Sequence, residues 1–281
     1  MDSAILLNSD AVVEYQIPVD DPAATGKATA PDYDSKLDSL DRPVFRDNKT
    51  ECAMVHAVRT SHGSVFQHVR NAAGDYVFRF NFSSARKRMT TVYSGDSWRA
   101  ASAVAMGSIA EFEAASAVAD ASAAGTGGST TDTMAATEAI AEAAAAVVLV
   151  KGAAETLAEL CSHELASTGA AAALDEAGHD RIRRSIARLA DTGLRALAVC
   201  VRGLAEDELP CANDASGEDR DAAYHEAIDR LEDGLVLVGI VGIKDPVRPE
   251  VPRAVANCRS AGIRVRMCTG DNIRTARFIA R

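Results

Sequence analysis

The sequence predicts a mixed α+β domain that leads into the first half of a doubly wound α/β sheet. Strand signals and amphipathic helix signals are interspersed along the 281 residues, and residues 235–281 follow the order β-loop-α-β-loop-α. The composition, with 47% apolar and 25% charged residues, is typical of soluble globular chains that bury a core. The length fits one large domain or two ordinary domains.

The N-terminal part of the chain predicts short strands and one helix. The apolar segments Ile5–Leu7 and Val12–Ile17 are strand-like. Asn48 and Glu51 have the spacing of a helix-opening capping box, so we expect a helix over the apolar segment Cys52–Val58, ended by Gly63. Two more strands are predicted from alternating or β-branched residues: Tyr76–Phe82 and Met89–Tyr93.

The composition changes after Trp98. Residues 99–146 are mainly Ala, Ser, Thr and Gly. Such a stretch buries little apolar area per ordered residue, so we expect a flexible insertion there. A buried strand at Val147–Val150 then resumes the ordered chain, and Lys151-Gly152 is expected to turn into a helix that contains Leu157.

The second half carries clear periodic signals. Ile182, Ile186 and Leu189 lie on one helix face, and Gly193 is placed to end that helix. A polar segment over residues 205–230 separates two predicted strands. The remaining predictions are strands at Leu194–Val201, Leu235–Ile243 and Ile263–Cys268, a helix from Pro249 to Gly262, and a last helix opened by Asn272.

Charge and hydropathy exclude several classes of partner. The net charge is −10, the pI is near 5.1 and only 5% of residues are aromatic, which disfavours nucleic acid and anionic membrane surfaces. The longest apolar run, Leu235–Ile243, is too short to span a bilayer, and Met1–Ser3 lacks a basic signal region. No Cys-x-x-Cys spacing or histidine cluster predicts a metal site. We therefore expect a soluble chain with no metal centre of its own.

Two segments near the C-terminus can carry phosphate chemistry. Thr269 and Asp271 lie where a predicted strand ends and a helix begins, which is where α/β sheets receive anions. The alternative is an ordinary β–α turn with Asp271 capping the helix. Arg248 lies between two prolines that stiffen the backbone, so it is either a hinge residue that approaches an anion or a solvated arginine.

Three earlier residues are candidates for binding a nucleotide. Lys87 and Lys151 each follow a strand, and Phe82 offers an aromatic face for a base. The alternatives are a basic loop and ordinary surface lysines, while Glu51 can simply close its capping box. The chain contains no Walker loop, dinucleotide fingerprint, H-E-x-x-H or G-x-S-x-G motif.

Five segments together resemble the P-type ATPases, and within them the plasma-membrane-type calcium pumps. The longest covers Gly239–Pro252 and continues at Ala261–Asn272. Four others match in the family's order and extend the resemblance to most of the chain outside the alanine-rich insertion. They are Asn48–Ala53, Phe82–Met89, Lys151–Glu155 and Gly193–Ala198.

The resemblance implies two domains and one ATP site. Residues 1–243 would form an α+β nucleotide-binding domain, an antiparallel sheet with flanking helices, and residues 244–281 would open a haloacid-dehalogenase-like phosphorylation domain. In the family, adenine stacks on the phenylalanine that matches Phe82. The other nucleotide contacts implied are Glu51, Lys87, Lys151, Gly152, Arg195 and the hinge residue Arg248, and Thr269 and Asp271 would hold the γ-phosphate or an aspartyl phosphate.

The chain departs from the family pattern in ways that bear on this function. Asp47, Ala85 and Ala154 replace residues usual in the family, without removing an implied contact. The resemblance implies an Asp-Lys-Thr-Gly-Thr segment before Met1, a Gly-Asp-Gly-x-Asn-Asp segment after Arg281 and membrane helices, and none of these is in the 281 residues. We therefore expect a parent membrane pump that uses ATP and Mg²⁺ to move Ca²⁺, with this region cytoplasmic and unable to turn over alone.

Two other functions compete with this one. A haloacid-dehalogenase-type phosphatase would need an Asp-x-Asp nucleophile motif before its cap, and none is present. A non-catalytic module that binds nucleotide or a partner protein would instead use the acidic surface and the insertion.

Overall fold

A seven-stranded mixed sheet organises the fold in the computed structural model, which describes residues 12–16, 42–46, 49–62, 65–103, 144–166, 170–211 and 217–281. The strands lie in the order β3-β4-β5-β8-β9-β6-β7, and β1 and β2 form a separate antiparallel pair. The strand bounds are β1 Val12–Gln16, β2 Arg42–Arg46, β3 Phe78–Phe80, β4 Arg88–Ser94, β5 Ala146–Ala153, β6 Cys161–Leu165, β7 Ala171–Ala173, β8 Leu194–Leu204 and β9 Leu235–Lys244.

Strand direction differs from the expected antiparallel sheet at one pair. Neighbouring strands run antiparallel except β6 and β9, which run parallel. The chain between β6 and β9 includes two helices, Glu176–Asp191 and Gly217–Leu231, and a parallel pair requires such a long crossover connection. The sheet is therefore mixed rather than purely antiparallel.

Helices cover both faces of the sheet, and residues 95–103 are also helical. None of the helices in the described part of the chain combines the length and apolar character needed to span a bilayer. The helix bounds are α1 Lys49–His62, α2 Val65–Ala73, α3 Ala154–Leu160, α4 Glu176–Asp191, α5 Gly217–Leu231, α6 Val251–Ser260 and α7 Ile273–Ile279, with a 3₁₀ turn at Glu206–Glu208.

Apolar side chains alternate between the two faces of the sheet along its strands, so each face carries its own apolar core. On one face Leu149 and Val199 pack with residues of α1, α2 and the 95–103 helix, including the buried Trp98. On the other face Val148 and Cys200 pack with α3, α4 and α5. Because successive strand residues point to opposite faces, the same strands contribute to both cores.

Most of the predicted elements are present, but one helix was not predicted and one predicted strand is absent. The polar segment 205–230 contains α5, whose buried residues Tyr224, Ile228 and Leu231 share a helix face. Residues 263–269 form no strand and are exposed, because no strand in the described part of the chain pairs with them. The doubly wound part of the prediction is thus not formed.

One further prediction needs a smaller correction. Lys151 and Gly152 do not form a turn, since β5 continues to Ala153 before α3 begins. Gly193 and Gly262 follow helices as expected, with φ values of 78° and 75° that suit glycine. Residues 104–143 of the predicted insertion and the predicted strand Ile5–Leu7 lie outside the described residues.

Candidate functional site

A cavity of about 710 Å³ lies at one end of the sheet. Its wall is built where β4 begins, where β5 ends and where β8 begins, together with the loop before β4, part of α1 and the start of α7. Six of the residues singled out from the sequence line this cavity: Phe82, Lys87, Lys151, Gly152, Arg195 and Asp271.

Phe82 gives the cavity an accessible aromatic wall. Its side chain is 55% exposed, whereas Phe78, four residues earlier, is 4% exposed and packed in the core. A large exposed aromatic ring on the wall of a concave site provides a surface on which a planar ligand can stack.

Lys87 lies at a tight turn that leads into β4. Its φ is +56°, in the left-handed region that non-glycine residues seldom adopt. Its backbone N–H donates to the Ser83 carbonyl at 2.7 Å, and its own carbonyl accepts from the Ala153 N–H at 3.0 Å. These two bonds fix the turn against the end of β5, next to the cavity.

Gly152 allows that close approach. A Cβ at this position would lie 2.4 Å from the Lys87 carbonyl oxygen and 2.8 Å from the Arg88 Cα. The glycine in the Lys151-Gly152 motif is therefore required by the contact between two backbones, and its φ is not in the left-handed region.

Lys151 is a buried cation on the sheet. It lies in β5 opposite Met89 of β4 and Val199 of β8, and it is 5% exposed. Lysine is seldom buried to this extent in proteins, and this one lines the cavity. Its charge is thus largely shielded from water, where it acts more strongly on an anion than an exposed cation does.

Arg195 at the start of β8 joins the sheet to the C-terminal segment. Its Nη2 donates to Asp271 Oδ2 at 3.0 Å and lies 3.3 Å from Asp245 Oδ2. Its Nε is buried without a hydrogen-bond partner among the described residues. The guanidinium therefore contacts two carboxylates at the mouth of the cavity and retains donor capacity.

The start of α7 closes one side of the cavity. Asn272, rather than Asp271, is the N-cap, because its side chain accepts from the Arg274 N–H at 2.9 Å. Asn272 also donates to Glu155 at 2.8 Å, and the buried Thr275 donates to the Leu194 carbonyl at 3.1 Å. These bonds attach α7 to α3 and β8.

Three sequence candidates are not placed on the cavity wall in the described part of the chain. Thr269 accepts from the Asp271 N–H at 3.1 Å but lies outside the lining, and Arg248 is exposed in the connector. Glu51 lies in α1, and its side chain is outside the described residues.

Several lining residues were not singled out from the sequence. Glu155 ends the Lys151–Glu155 motif, so that motif contained a signal for it. Met89 likewise ends the Phe82–Met89 motif. Thr275 carried no signal, because an ordinary helix position acquires a role only from the packing. The residues added by the structure include Met54, Met89, Glu155, Thr156, Asn272 and Thr275.

Comparison with known proteins identifies related sequences over the second half of the chain. Residues 130–250 match the family model described as P-type ATPase, cytoplasmic domain N. The chain is 39% identical over 130 residues to calcium-transporting ATPase 12, plasma membrane-type, of Arabidopsis thaliana. It is 39% identical over 137 residues to the endoplasmic reticulum-type calcium-transporting ATPase 2 of the same plant, and 38% over 131 residues to plasma membrane calcium-transporting ATPase 4 of Bos taurus.

These matches cover 46%, 47% and 46% of this chain, respectively. They cover 11%, 12% and 10% of the relatives, so the chain matches about a tenth of their length. Residues 130–250, the region that the family model matches, include β5, which supplies Lys151 and Gly152, and β8, which supplies Arg195.

Proposed function

Because residues 130–250 match the family model of P-type ATPase cytoplasmic domain N, we propose that the cavity at the end of the sheet binds ATP. The observation that carries this proposal is the meeting of an exposed aromatic ring with three cationic side chains from separate parts of the chain. These residues are Phe82, Lys87, Lys151 and Arg195.

Each part of the nucleotide has a matching surface in this proposal. Adenine stacks on Phe82, because base–aromatic stacking is worth about 1–3 kcal/mol and is indifferent to hydrogen-bond pattern. Lys87 and Lys151 offset the negative charge of the polyphosphate. A volume of about 710 Å³ lies within the range of small-molecule sites. Glu51 is proposed to contact the adenine side from α1.

Arg195 has to exchange partners when ATP binds. Its contacts with Asp271 and Asp245 are replaced in this proposal by a phosphate, which is a bidentate acceptor for a guanidinium. Asp271, with Thr269, is proposed to lie near the γ-phosphate, and Arg248 to approach the nucleotide from the connector.

The described residues do not offer a cation site of their own. No group of three or more His, Cys, Asp or Glu side chains in the described ranges is arranged to hold a metal ion. Asp271 faces Arg195 rather than a second carboxylate. Mg²⁺ is therefore proposed to enter with the triphosphate.

The parent protein is proposed to be a calcium-transporting pump. The support is the similarity to plasma membrane-type and endoplasmic reticulum-type calcium-transporting ATPases. Residues 1–243 are proposed as the nucleotide-binding domain and residues 244–281 as the beginning of the phosphorylation domain, both on the cytoplasmic side of the membrane. ATP hydrolysis through an aspartyl phosphate and Ca²⁺ transport belong to the parent.

Titration calorimetry of the 281-residue chain with MgATP tests the ATP site. We expect saturable binding without hydrolysis, and about tenfold weaker binding for Lys151→Ala, because one charge-assisted contact to phosphate is lost. Phe82→Ala is expected to weaken ATP and AMP alike, since the base contact is common to both.

Lys244→Ala is the matched control for Lys151→Ala, because Lys244 is exposed at the end of β9 and does not line the cavity. Its affinity should equal that of the wild type. An absence of nucleotide heat at millimolar MgATP would overturn the ATP site.

A further inference from the structure

Glu232 is a buried carboxylate outside the cavity that no step of the proposed ATP binding uses. It follows α5, and its side chain is 1% exposed. It accepts from Arg88 Nε at 2.5 Å, from Arg86 Nη2 and from the hydroxyl of Thr90. Two arginines and a buried hydroxyl thus converge on one carboxylate.

This cluster lies on the sheet face opposite the cavity. Arg88 and Thr90 are alternate residues of β4, so both side chains point to the face where Glu232 lies. Lys87 and Met89 are the neighbours of Arg88 on either side, and both line the cavity. Holding Arg88 and Thr90 to Glu232 therefore fixes which residues of this segment face the cavity.

Arg86 extends the anchoring into the loop that carries Phe82. Its guanidinium carbon lies 3.9 Å from the centroid of the Phe80 ring, while Nη2 bonds Glu232. Its backbone N–H donates to the Ser83 hydroxyl at 3.2 Å. The chain from Phe80 to Arg88 is thus tied at both ends to groups around Glu232, and Phe82 and Lys87 lie between the tied points.

The positive φ of Lys87 shows why an anchor is needed. A lysine in the left-handed region costs free energy, and such a conformation persists only where the surroundings hold it. The flanking arginines contribute that constraint, since both are largely buried and would be left as uncompensated charges if Glu232 released them.

We infer that Glu232 is a positioning residue for the nucleotide site: it anchors Arg86, Arg88 and Thr90, so that Lys87 and Phe82 face the cavity. This inference rests on the proposed ATP binding for its functional consequence. Its structural consequence, the constraint on the turn at Lys87, is independent of any ligand.

The functional test is the MgATP affinity of Glu232→Gln, measured by calorimetry at a temperature where circular dichroism shows the variant fully folded. We expect affinity to fall about fivefold or more, although residue 232 does not touch the cavity. In a Lys87→Ala background the same change should cost clearly less affinity than in the wild type, because one of the two contacts that it acts through, Lys87 and Phe82, is already gone.

Glu208→Gln is the matched control, since Glu208 also pairs with an arginine, Arg202, but is distant from the cavity wall. It should change affinity less than about twofold. An equal loss of affinity for Glu232→Gln with and without Lys87 would overturn the inference, as would unchanged affinity in the folded single variant.

Amide hydrogen exchange provides the ligand-independent test, with Glu232→Asp as the variant of choice if Glu232→Gln does not fold. The amides of Lys87 and Ala153, which bond Ser83 and Lys87, should exchange faster than in the wild type. Unchanged protection at both amides would overturn the anchor. A wild type that fails to bind MgATP would overturn the ATP site alone, since the exchange result would still decide the role of Glu232.

Discussion

Gly152 shows how one residue without a side chain holds the candidate site together. Its backbone lies against Lys87 and Arg88, so the turn that presents Lys87 and the strand that presents Lys151 come into direct contact. Any larger residue would separate the two cations, and the cavity would change its width.

Gly152→Ala is therefore expected to lower the free energy of unfolding by about 1–3 kcal/mol, the usual cost of forcing an extra group into a packed contact. Urea denaturation measures the effect. Gly270→Ala is the control, because nothing lies within 4 Å of a Cβ at that position. Equal stability of the two variants would contradict the close contact.

The sequence predicted a large part of the candidate site at this scale, and the structure supplied the rest. The resemblance placed Phe82, Lys87, Lys151 and Arg195 in one site, and these residues do line one cavity. The sequence contained no sign that Glu232 is buried or functional, because Glu232 is 144 residues from Arg88 and its neighbouring residues show no pattern of burial.

At the scale of helices and strands, prediction succeeded where an element's own pattern sufficed. Strands β5, β8 and β9 are rich in apolar residues, so their local sequence alone predicted the strands that the sheet contains. Helix α5 was not predicted because its three buried residues are separated by charged and small residues, which gives a weak apolar pattern. Residues 263–268 have the alternation of a strand but need a neighbouring strand to become one.

The 3₁₀ turn after β8 gives a pH-dependent prediction at the same scale. The Glu208 carboxylate accepts from the Ala205 N–H at 2.9 Å and from Arg202 at 2.6 Å. The Ala205 hydrogen bond is the main cause that lowers the pKa of Glu208 below its ordinary 4.5, and the charges of Arg202 and Arg230 add to it. A carboxyl whose pKa is lower in the folded state stabilises that state above its unfolded pKa.

Glu208→Gln should accordingly lower the free energy of unfolding at pH 7 by about half a kcal/mol, a small value because the side chain is well exposed. The difference from wild type should shrink as the pH falls below 4.5 through the folded pKa. Denaturation curves across this range measure it, with Asp207→Asn on the same turn as control. A difference that stays constant down to pH 2 would contradict the linkage.

At the scale of the whole molecule, the two apolar cores are joined by shared strands. β5 and β8 each place alternate residues into both cores, so neither core can lose its packing while the other keeps its strands. This arrangement favours cooperative unfolding over stepwise loss of the two faces.

Trp98 provides the measurement, because it is the single tryptophan and is 1% exposed in the core beside α1 and α2. Its fluorescence should change with the same urea midpoint as the far-ultraviolet circular dichroism, which reports the helices of both faces. A tryptophan transition at clearly lower urea would mean that its core unfolds separately.

The pairing of β4 with β5 also bears on where residues can be inserted or deleted without changing the candidate site. The segment 95–143 joins the end of β4 to the start of β5, at the end of the sheet away from the cavity: Ser94 pairs with Ala146, and the Gly95 N–H donates to the Ala145 carbonyl at 2.8 Å. The chain thus leaves and returns at adjacent positions, and the entropy of closing such a loop rises only with the logarithm of its length. This junction is consequently a natural insertion point, where whole sequences can be exchanged while the nucleotide end of the sheet keeps its geometry.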